Sequence, residues 1–337
     1  MKQETNKFGT GSLYEVEDIK GNIHCVCTAC MSIYSEFLSW ANANSDRFTG
    51  FSADADSIVV LSCQVTDLAV LNDLRHLEGL MDKHPHKKFY IGGCLARRFD
   101  IRLPGGVRRL DNISSEGTQI DKTDLIQYAA PFWVEDFENQ KTEGRLFRDM
   151  YPLRIGVGCK NKCTYCTIRI TRGEYREIPY SKDEFISHDN VVLIADSPTS
   201  KQIATWCARA IGENKPIAIR NIEPKVLRRE WRNIYILAEK GLLSHLHCPI
   251  QHNDPDALIQ MGRDPYDVIF VRNAARMLKG MGVFTATNII VDYVGFMNQD
   301  SIMAEEFDYV SWNPYWDGQW DRKTAERRFK HYLGENQ

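Results

Sequence analysis

The stretch Gly158-Cys-Lys-Asn-Lys-Cys-Thr-Tyr-Cys-Thr167 sets Cys159, Cys163 and Cys166 in a Cys-x3-Cys-x2-Cys spacing with no fourth thiol beside them. Three thiolates without a fourth suit a four-iron cluster in which one iron keeps an open position. Such an iron can chelate the amino and carboxylate groups of S-adenosylmethionine and pass it an electron. Thiolates also select zinc. A structural zinc site, however, closes its tetrahedron with a fourth ligand at short spacing, and the next cysteine is Cys207. The spacing favours the iron-sulfur reading over the zinc one.

Upstream lie three more cysteines: Cys30 in Thr28-Ala-Cys-Met-Ser-Ile-Tyr-Ser-Glu36, Cys63 in Leu61-Ser-Cys-Gln-Val-Thr-Asp67, and Cys94 in Gly92-Gly-Cys-Leu-Ala96. They are 33 and then 31 residues apart, and each follows an apolar run ending in small residues. Ile58 to Leu61 and Phe89 to Ile91 read as buried parallel strands. Cys63 and Cys94 then sit at carboxyl ends of neighbouring strands, where open α/β sheets gather ligands. Cys27 stands three residues before Cys30 and competes with it as a ligand; Cys30 is preferred for its strand-end context.

The rest of the chain alternates in the same way. Leu and Val recur at three- and four-residue steps from Leu68 to Leu80, which predicts a helix between the two strands. A charged connector over Val134 to Arg148 marks a boundary. Beyond it Leu153 to Val157, Val191 to Ile194, Pro216 to Ile219, Leu246 to Ile250, Val283 to Val291 and Tyr309 to Trp312 read as strands, with a helix over Pro265 to Gly280. The expected fold class is α/β. A polar arm (1–21) leads into a parallel-sheet βαβ domain (22–133), then the linker (134–148), a partial (β/α)6 barrel (149–318) and a carboxy-terminal helix or tail (319–337).

Two cysteine triads in this order resemble the methylthiotransferases, radical S-adenosylmethionine enzymes with a second [4Fe-4S] cluster in the amino-terminal domain. The resemblance spans roughly residues 22 to 330. It extends to Arg172-Gly173 with Arg176 and Pro179, to Asn221-Ile-Glu-Pro224, to His247-Cys-Pro-Ile-Gln-His252 with Met261-Gly-Arg263, and to Phe307-Asp308 with Pro314-Tyr315. The chain departs from the family at Ile33, where an asparagine is usual, and at Asp292-Tyr-Val-Gly295, where a Gly-Phe-Pro-Gly-Glu turn is usual and the helix after it is clipped. No counterpart of the family's carboxy-terminal recognition β-barrel is expected.

The resemblance implies two [4Fe-4S] clusters, on Cys30, Cys63 and Cys94 and on Cys159, Cys163 and Cys166, with S-adenosylmethionine as cosubstrate. One molecule methylates a sulfur on the auxiliary cluster; another is cleaved reductively, and its radical takes a hydrogen from an unactivated carbon. Around the cosubstrate, Tyr165 is a candidate to pack over adenine or simply to shield the cluster. Arg172 and Arg176 are candidates to neutralise a carboxylate or an RNA phosphate, and Glu223 and Gln251 to bond ribose or amino groups. The implied substrate is a tRNA adenosine beside the anticodon. The runner-up is an aspartate of a ribosomal small-subunit protein, and a non-catalytic iron-sulfur binding protein is the reading outside enzymes. A low-potential electron donor of flavodoxin or ferredoxin type and a sulfur donor are the implied partners.

Composition fits this class. With 43% hydrophobic and 26% charged residues the chain is that of an ordinary globular protein. No apolar run approaches membrane-spanning length and the start lacks a signal peptide's apolar stretch, so a cytoplasmic protein without membrane contact is expected. Ten cysteines then suggest metal binding rather than disulfides, with Cys25, Cys27, Cys207 and Cys248 as buried apolar thiols. Net charge is −3, yet Lys83 to Arg109 holds eight cations (83, 87, 88, 97, 98, 102, 108, 109) and one acid, Asp100. That run is a candidate RNA-facing surface or a plain solvated face. The tail's Trp312, Tyr315, Trp316 and Trp320, beside Arg322, Lys323, Arg327, Arg328 and Lys330, suits stacking on unpaired bases or, preferably, closing the barrel.

Overall fold

The computed structural model of the chain describes residues 2–6, 9–14, 18–36, 45–110, 147, 150–296 and 305–332. They form two compact units, one from Met1–Gly144, Ile170–Arg172 and Trp316–Gln337, the other from Arg145–Arg169 and Gly173–Tyr315. The end of the first expected domain (111–133), the connector (134–148, Phe147 excepted) and the clipped segment at 297–304 lie outside the described residues.

In the first unit, strands β1 (Lys2–Asn6) and β2 (Gly9–Leu13) pair antiparallel, so the stretch read as a polar arm contains a hairpin. Strands β3 (Ile23–Cys27), β4 (Ser57–Ser62), β5 (Lys88–Gly93) and β6 (Arg108–Arg109) lie parallel in that order. Side chains alternate across this sheet. Val59, Leu61 and Tyr90 join Cys25 and Cys27 in one buried cluster. Ile58, Val60, Phe89 and Ile91 join another with Val70, Leu74 and Leu77 of the helix Asp67–Lys83. That helix starts where the Thr66 hydroxyl accepts the Ala69 amide at 3.1 Å. Each Leu or Val so buried contributes about 1.5–3 kcal/mol.

The carboxy-terminal helix, Arg322–Tyr332, packs on this unit. Arg322 forks onto Glu78 at 2.5 and 2.8 Å, and Arg328 meets Asp67 at 2.8 Å. Trp316 and Trp320 join the cluster beneath β4 and β5. The packing reading of the aromatic tail is thus right for these two residues and its location wrong, because they cover the first sheet and not the barrel. The basic run also needs correction. Arg98 is 0% exposed; it grips Asp100 at 2.9 and 2.7 Å, Gln64 at 2.9 Å and the Gly318 carbonyl at 2.7 Å, with Trp316 stacked 4.7 Å away. Arg109 donates to the carbonyls of Leu95, Ala96 and Ile101. These two cations fix loops; Lys83, Lys88, Arg102 and Arg108 are the exposed ones.

In the second unit, β7 (Tyr151–Arg154), β10 (Val191–Ile194), β11 (Ile217–Arg220), β12 (Leu243–His247), β13 (Phe284–Val291) and β14 (Tyr309–Pro314) lie parallel and side by side in chain order. This is the six-stranded half-barrel arrangement expected. The run Leu153 to Val157 breaks at Ile155: β7 stays in the sheet, while β8 (Gly156–Val157) turns to pair antiparallel with β9 (Arg176–Glu177). Pro152 is tolerated because β7 is an edge strand. β12 ends three residues before the expected Ile250, since Pro249 has no amide to extend the ladder. Among the described residues no helix is long and apolar enough to cross a membrane.

Replacing Arg98 by Ala strands Asp100, Gln64 and the Gly318 carbonyl, and should lower stability by about 3 kcal/mol in urea unfolding. Arg102→Ala, at an exposed position in the same run, should change it by less than about 0.5 kcal/mol.

Candidate metal and cofactor site

In the first unit the ladder pairs Cys27 with Leu61 and Leu61 with Gly92. Three parallel strands therefore end within one residue of level, and Cys30 follows its strand end by three residues, Cys63 and Cys94 by one. Cys94 belongs to the same buried cluster against which Cys30 and Cys63 pack. Cys63 feels the charge of both Cys30 and Cys94, after burial itself, which is the main cause that its thiol stays protonated far above the ordinary range. Gly93, at φ +77°, is required here because a Cβ would overlap the Ser62 carbonyl. Cys27 lies inside β3, fully buried, with its thiol aimed at the Ala29 carbonyl; Cys30 lies beyond the strand end and is partly exposed. Ile33 is buried in the apolar cluster.

Past its first residue, Asp67, one polar residue breaks the buried face of the helix Asp67–Lys83. Asp73 is 2% exposed; its Oδ2 accepts the Cys63 amide at 2.6 Å, and its carboxyl also bonds the Thr28 hydroxyl. Burial pushes this carboxyl up to about 8 against those two bonds.

In the second unit, Cys159, Cys163 and Cys166 occupy the loop that leaves β8. Gly158 sits at φ +83° and a Cβ there would overlap the Glu174 carbonyl, so the loop closes over β9 only with glycine. Its amide donates to Asp196 at 2.8 Å, and the Cys159 amide to the Gly173 carbonyl at 3.2 Å. The Asn161 amide points at the Cys159 sulfur, 3.3 Å away, and the Asn161 side chain bonds Ser197 and Lys225. Farther along, the Thr164 hydroxyl donates to the Gln260 carbonyl at 2.8 Å. Cys166 is pushed up to about 12 by burial and by the charges of Cys163 and Cys159. Among the described residues no three His, Cys, Asp or Glu side chains converge on one metal-ion position. Thiols bound to separate irons of a cube need not converge on one point, and within each triad they lie near enough to feel one another's charge.

Tyr165 faces inward, in a cluster with Ala257, Met261, Ile290 and Tyr293. Its hydroxyl accepts from Arg263 Nε at 2.9 Å, and Arg263 reaches on to the Pro249 carbonyl at 2.9 Å and Glu223 at 3.4 Å. Glu223 lies close enough to act on Cys159 and Cys166. Gln251, at φ +72°, spends its backbone on Asn288 and Ile290 at 2.9 and 2.7 Å. Arg172 is buried in an ion pair with Glu36, so its guanidinium is already neutralised; Arg176 is exposed on β9. Sequence reasoning gave no role to Asp196, Ser197, Asn161 or Arg263. Asp196 stands two residues past β10, the strand-end rule that had drawn attention to Glu223. Asn221 and Asp292, at φ +63° and +58°, directly follow β11 and β13. Such strain is retained where the surroundings over-determine it, often at binding sites.

The chain is α/β, with a parallel sheet in each unit. Its fold is similar to the S-adenosylmethionine methyltransferase TsrM from Kitasatospora setae, solved with cobalamin and a [4Fe-4S] cluster, at a TM-score of 0.50, covering 88% of this chain and 75% of that one at 9% identity. The sequence relatives are methylthiotransferases, as the cysteine pattern suggested. A tRNA-2-methylthio-N(6)-dimethylallyladenosine synthase from Polynucleobacter asymbioticus is 25% identical over 296 residues, 76% of this chain and 65% of that protein. The ribosomal protein uS12 methylthiotransferases RimO of Lachnoclostridium phytofermentans and Natranaerobius thermophilus are 24% and 26% identical, over 77% and 84% of this chain. The chain spans 65% and 66% of the length of the first and second of these relatives. No protein-family model matches it.

Gly158→Ala should cost about 3 kcal/mol, from both the left-handed backbone and the overlap with Glu174. Gly173→Ala has the same handedness (φ +80°) but open space around the added methyl, and should cost about 1 kcal/mol. Urea unfolding of the two variants measures the difference.

Proposed function

We propose that the chain is a radical S-adenosylmethionine methylthiotransferase that places a methylthio group on an unactivated carbon of a tRNA adenosine beside the anticodon. The observation that carries this reading is the pair of three-cysteine sets, each following the carboxyl ends of strands in its own α/β unit. Cys159, Cys163 and Cys166 would hold one [4Fe-4S] cluster, and Cys30, Cys63 and Cys94 a second. Bound there, the clusters supply an open iron for S-adenosylmethionine, the electron for its cleavage and a carrier for the transferred sulfur. The protein's share is binding and orientation. Arg263 holds Tyr165 and Glu223 beside the second triad, and Asn161 and Ser197 bond around Cys159. The reading includes a flavodoxin- or ferredoxin-type electron donor, a sulfur donor and a cytoplasmic location.

Relatives are named for both tRNA and ribosomal-protein substrates. A surface groove of the first unit favours RNA. It is lined by Arg75, Lys323, Arg327 and Lys330 with Asp321 and Glu326, and both acids are engaged within the carboxy-terminal helix. Lys323, Arg327 and Lys330 recur at helical steps along about 10 Å, a stripe of positive charge that suits phosphates.

Anaerobically reconstituted protein should bind about eight irons, and the variant with Cys159, Cys163 and Cys166 all changed to Ala about four. Reduced wild-type protein should cleave S-adenosylmethionine to 5'-deoxyadenosine, which an iron-sulfur protein without turnover would not do. Mass spectrometry of tRNA nucleosides from cells with and without the protein should show loss of a methylthioadenosine. Unchanged nucleosides together with loss of a modified ribosomal aspartate would move the assignment to the protein substrate.

A further inference from the structure

We propose that Asp73 is a positioning residue for the thiol set Cys30, Cys63 and Cys94: its carboxyl takes the Cys63 amide and the Thr28 hydroxyl, tying together two of the three loops that carry the set. The inference rests on the two-triad reading above and adds to it a residue outside the cysteine pattern.

Asp73 stands on the buried face of its helix among Val70, Leu71, Leu74 and Leu77, a position otherwise filled by apolar side chains. Burying a carboxyl among apolar residues costs several kcal/mol unless it finds hydrogen bonds or sheds its charge. No cation lies against Asp73 among the described residues. Both of its bonds go to cysteine loops. One is the Cys63 amide at 2.6 Å, from the residue that leaves β4. The other is Thr28, two residues before Cys30, whose single hydroxyl proton is shared between the Asp73 carboxyl and the Leu61 carbonyl 2.9 Å away. The Thr28 amide donates to that same carbonyl, again at 2.9 Å. Thr28 thus clamps the Cys30 loop to the end of β4, and Asp73 closes the clamp from the helix side. Ile33 offers only a hydrocarbon surface, so Asp73 is the side chain that ties the Cys63 amide to the Cys30 loop.

The test uses the full chain carrying Cys159→Ala, Cys163→Ala and Cys166→Ala, so that only the first triad reports. Iron per chain, the electron paramagnetic resonance spectrum of the reduced cluster and thermal unfolding of the iron-free protein are compared for Asp73, Asp73→Asn and Asp73→Leu. Asn keeps an oxygen acceptor of the same shape and should retain about four irons and the parent spectrum. Leu should leave the iron-free protein folded yet weaken iron retention at least tenfold against a chelator, with an altered spectrum. Amide exchange at Cys63 should quicken in Asp73→Leu before any iron is added. Thr28→Val, which removes the other half of the clamp, gives a second route and should weaken retention about threefold. Parent-like iron and spectrum in Asp73→Leu would overturn the role of Asp73 alone. No iron in the parent triple variant would overturn the ligand set itself, and the role of Asp73 with it.

Discussion

The register of β3, β4 and β5 is the constraint on which the first candidate site depends. Parallel strands stand about 4.8 Å apart, and here Cys27 lies beside Leu61 beside Gly92, with β4 and β5 ending one residue later. Three cysteines about thirty residues apart in sequence are brought near one another by that register. A shift of one residue in either ladder would turn every side chain of a strand to the other face. The two apolar clusters hold the register: Val59, Leu61 and Tyr90 have partners on one side, Ile58, Val60, Phe89 and Ile91 on the other. Helix packing beneath β4 and β5, with Trp316 and Trp320 added by the carboxy-terminal segment, is therefore part of what places the cysteines.

The second triad is built differently. Its thiols come from one loop of eight residues, so no sheet register brings them together, and the loop must be pinned from outside. Gly158 lets it cross Glu174, Asp196 takes the Gly158 amide, and Thr164 fastens the far end to Gln260. Tyr165 is drawn inward by Arg263 and an apolar cluster. Strained backbone at Asn221, Gln251 and Asp292 marks the ends of successive strands. These residues belong to different βα units, the distribution expected of a barrel whose chemistry lies at strand carboxyl ends.

The strand order and the strand-end position of the cysteines were legible because they follow from apolar runs and spacing; Val191 to Ile194 and Pro265 to Gly280 were found at their observed limits, and the other strands with shifts of one to three residues. What was not legible depends on where a polar side chain points. Arg98 and Arg102 sit in one basic run, four residues apart, yet the first is sealed under Trp316 and the second is in solvent. A guanidinium has five donors and a long apolar stem, so it can be buried wherever carbonyls and a carboxylate converge. Only the fold shows that convergence. The same holds for Arg172, whose partner Glu36 lies 136 residues away in sequence.

Counting charges along the chain therefore misplaces its electrostatics. The run at 83 to 109 sends Arg98 and Arg109 inward as struts. The groove of Arg75, Lys323, Arg327 and Lys330 instead combines side chains some 250 residues apart, brought together because Arg322 and Arg328 are spent on Glu78 and Asp67. Those two ion pairs orient the helix Arg322–Tyr332, and helical periodicity then gathers the three remaining cations on one side. The exposed pair Arg322–Glu78 adds little stability by itself, whereas Arg328 meets a buried Asp67 carboxylate. Their effect is directional: by engaging Glu78 and Asp67 they turn Lys323, Arg327 and Lys330 toward the groove, where Asp321 and Glu326 are the acids that line it.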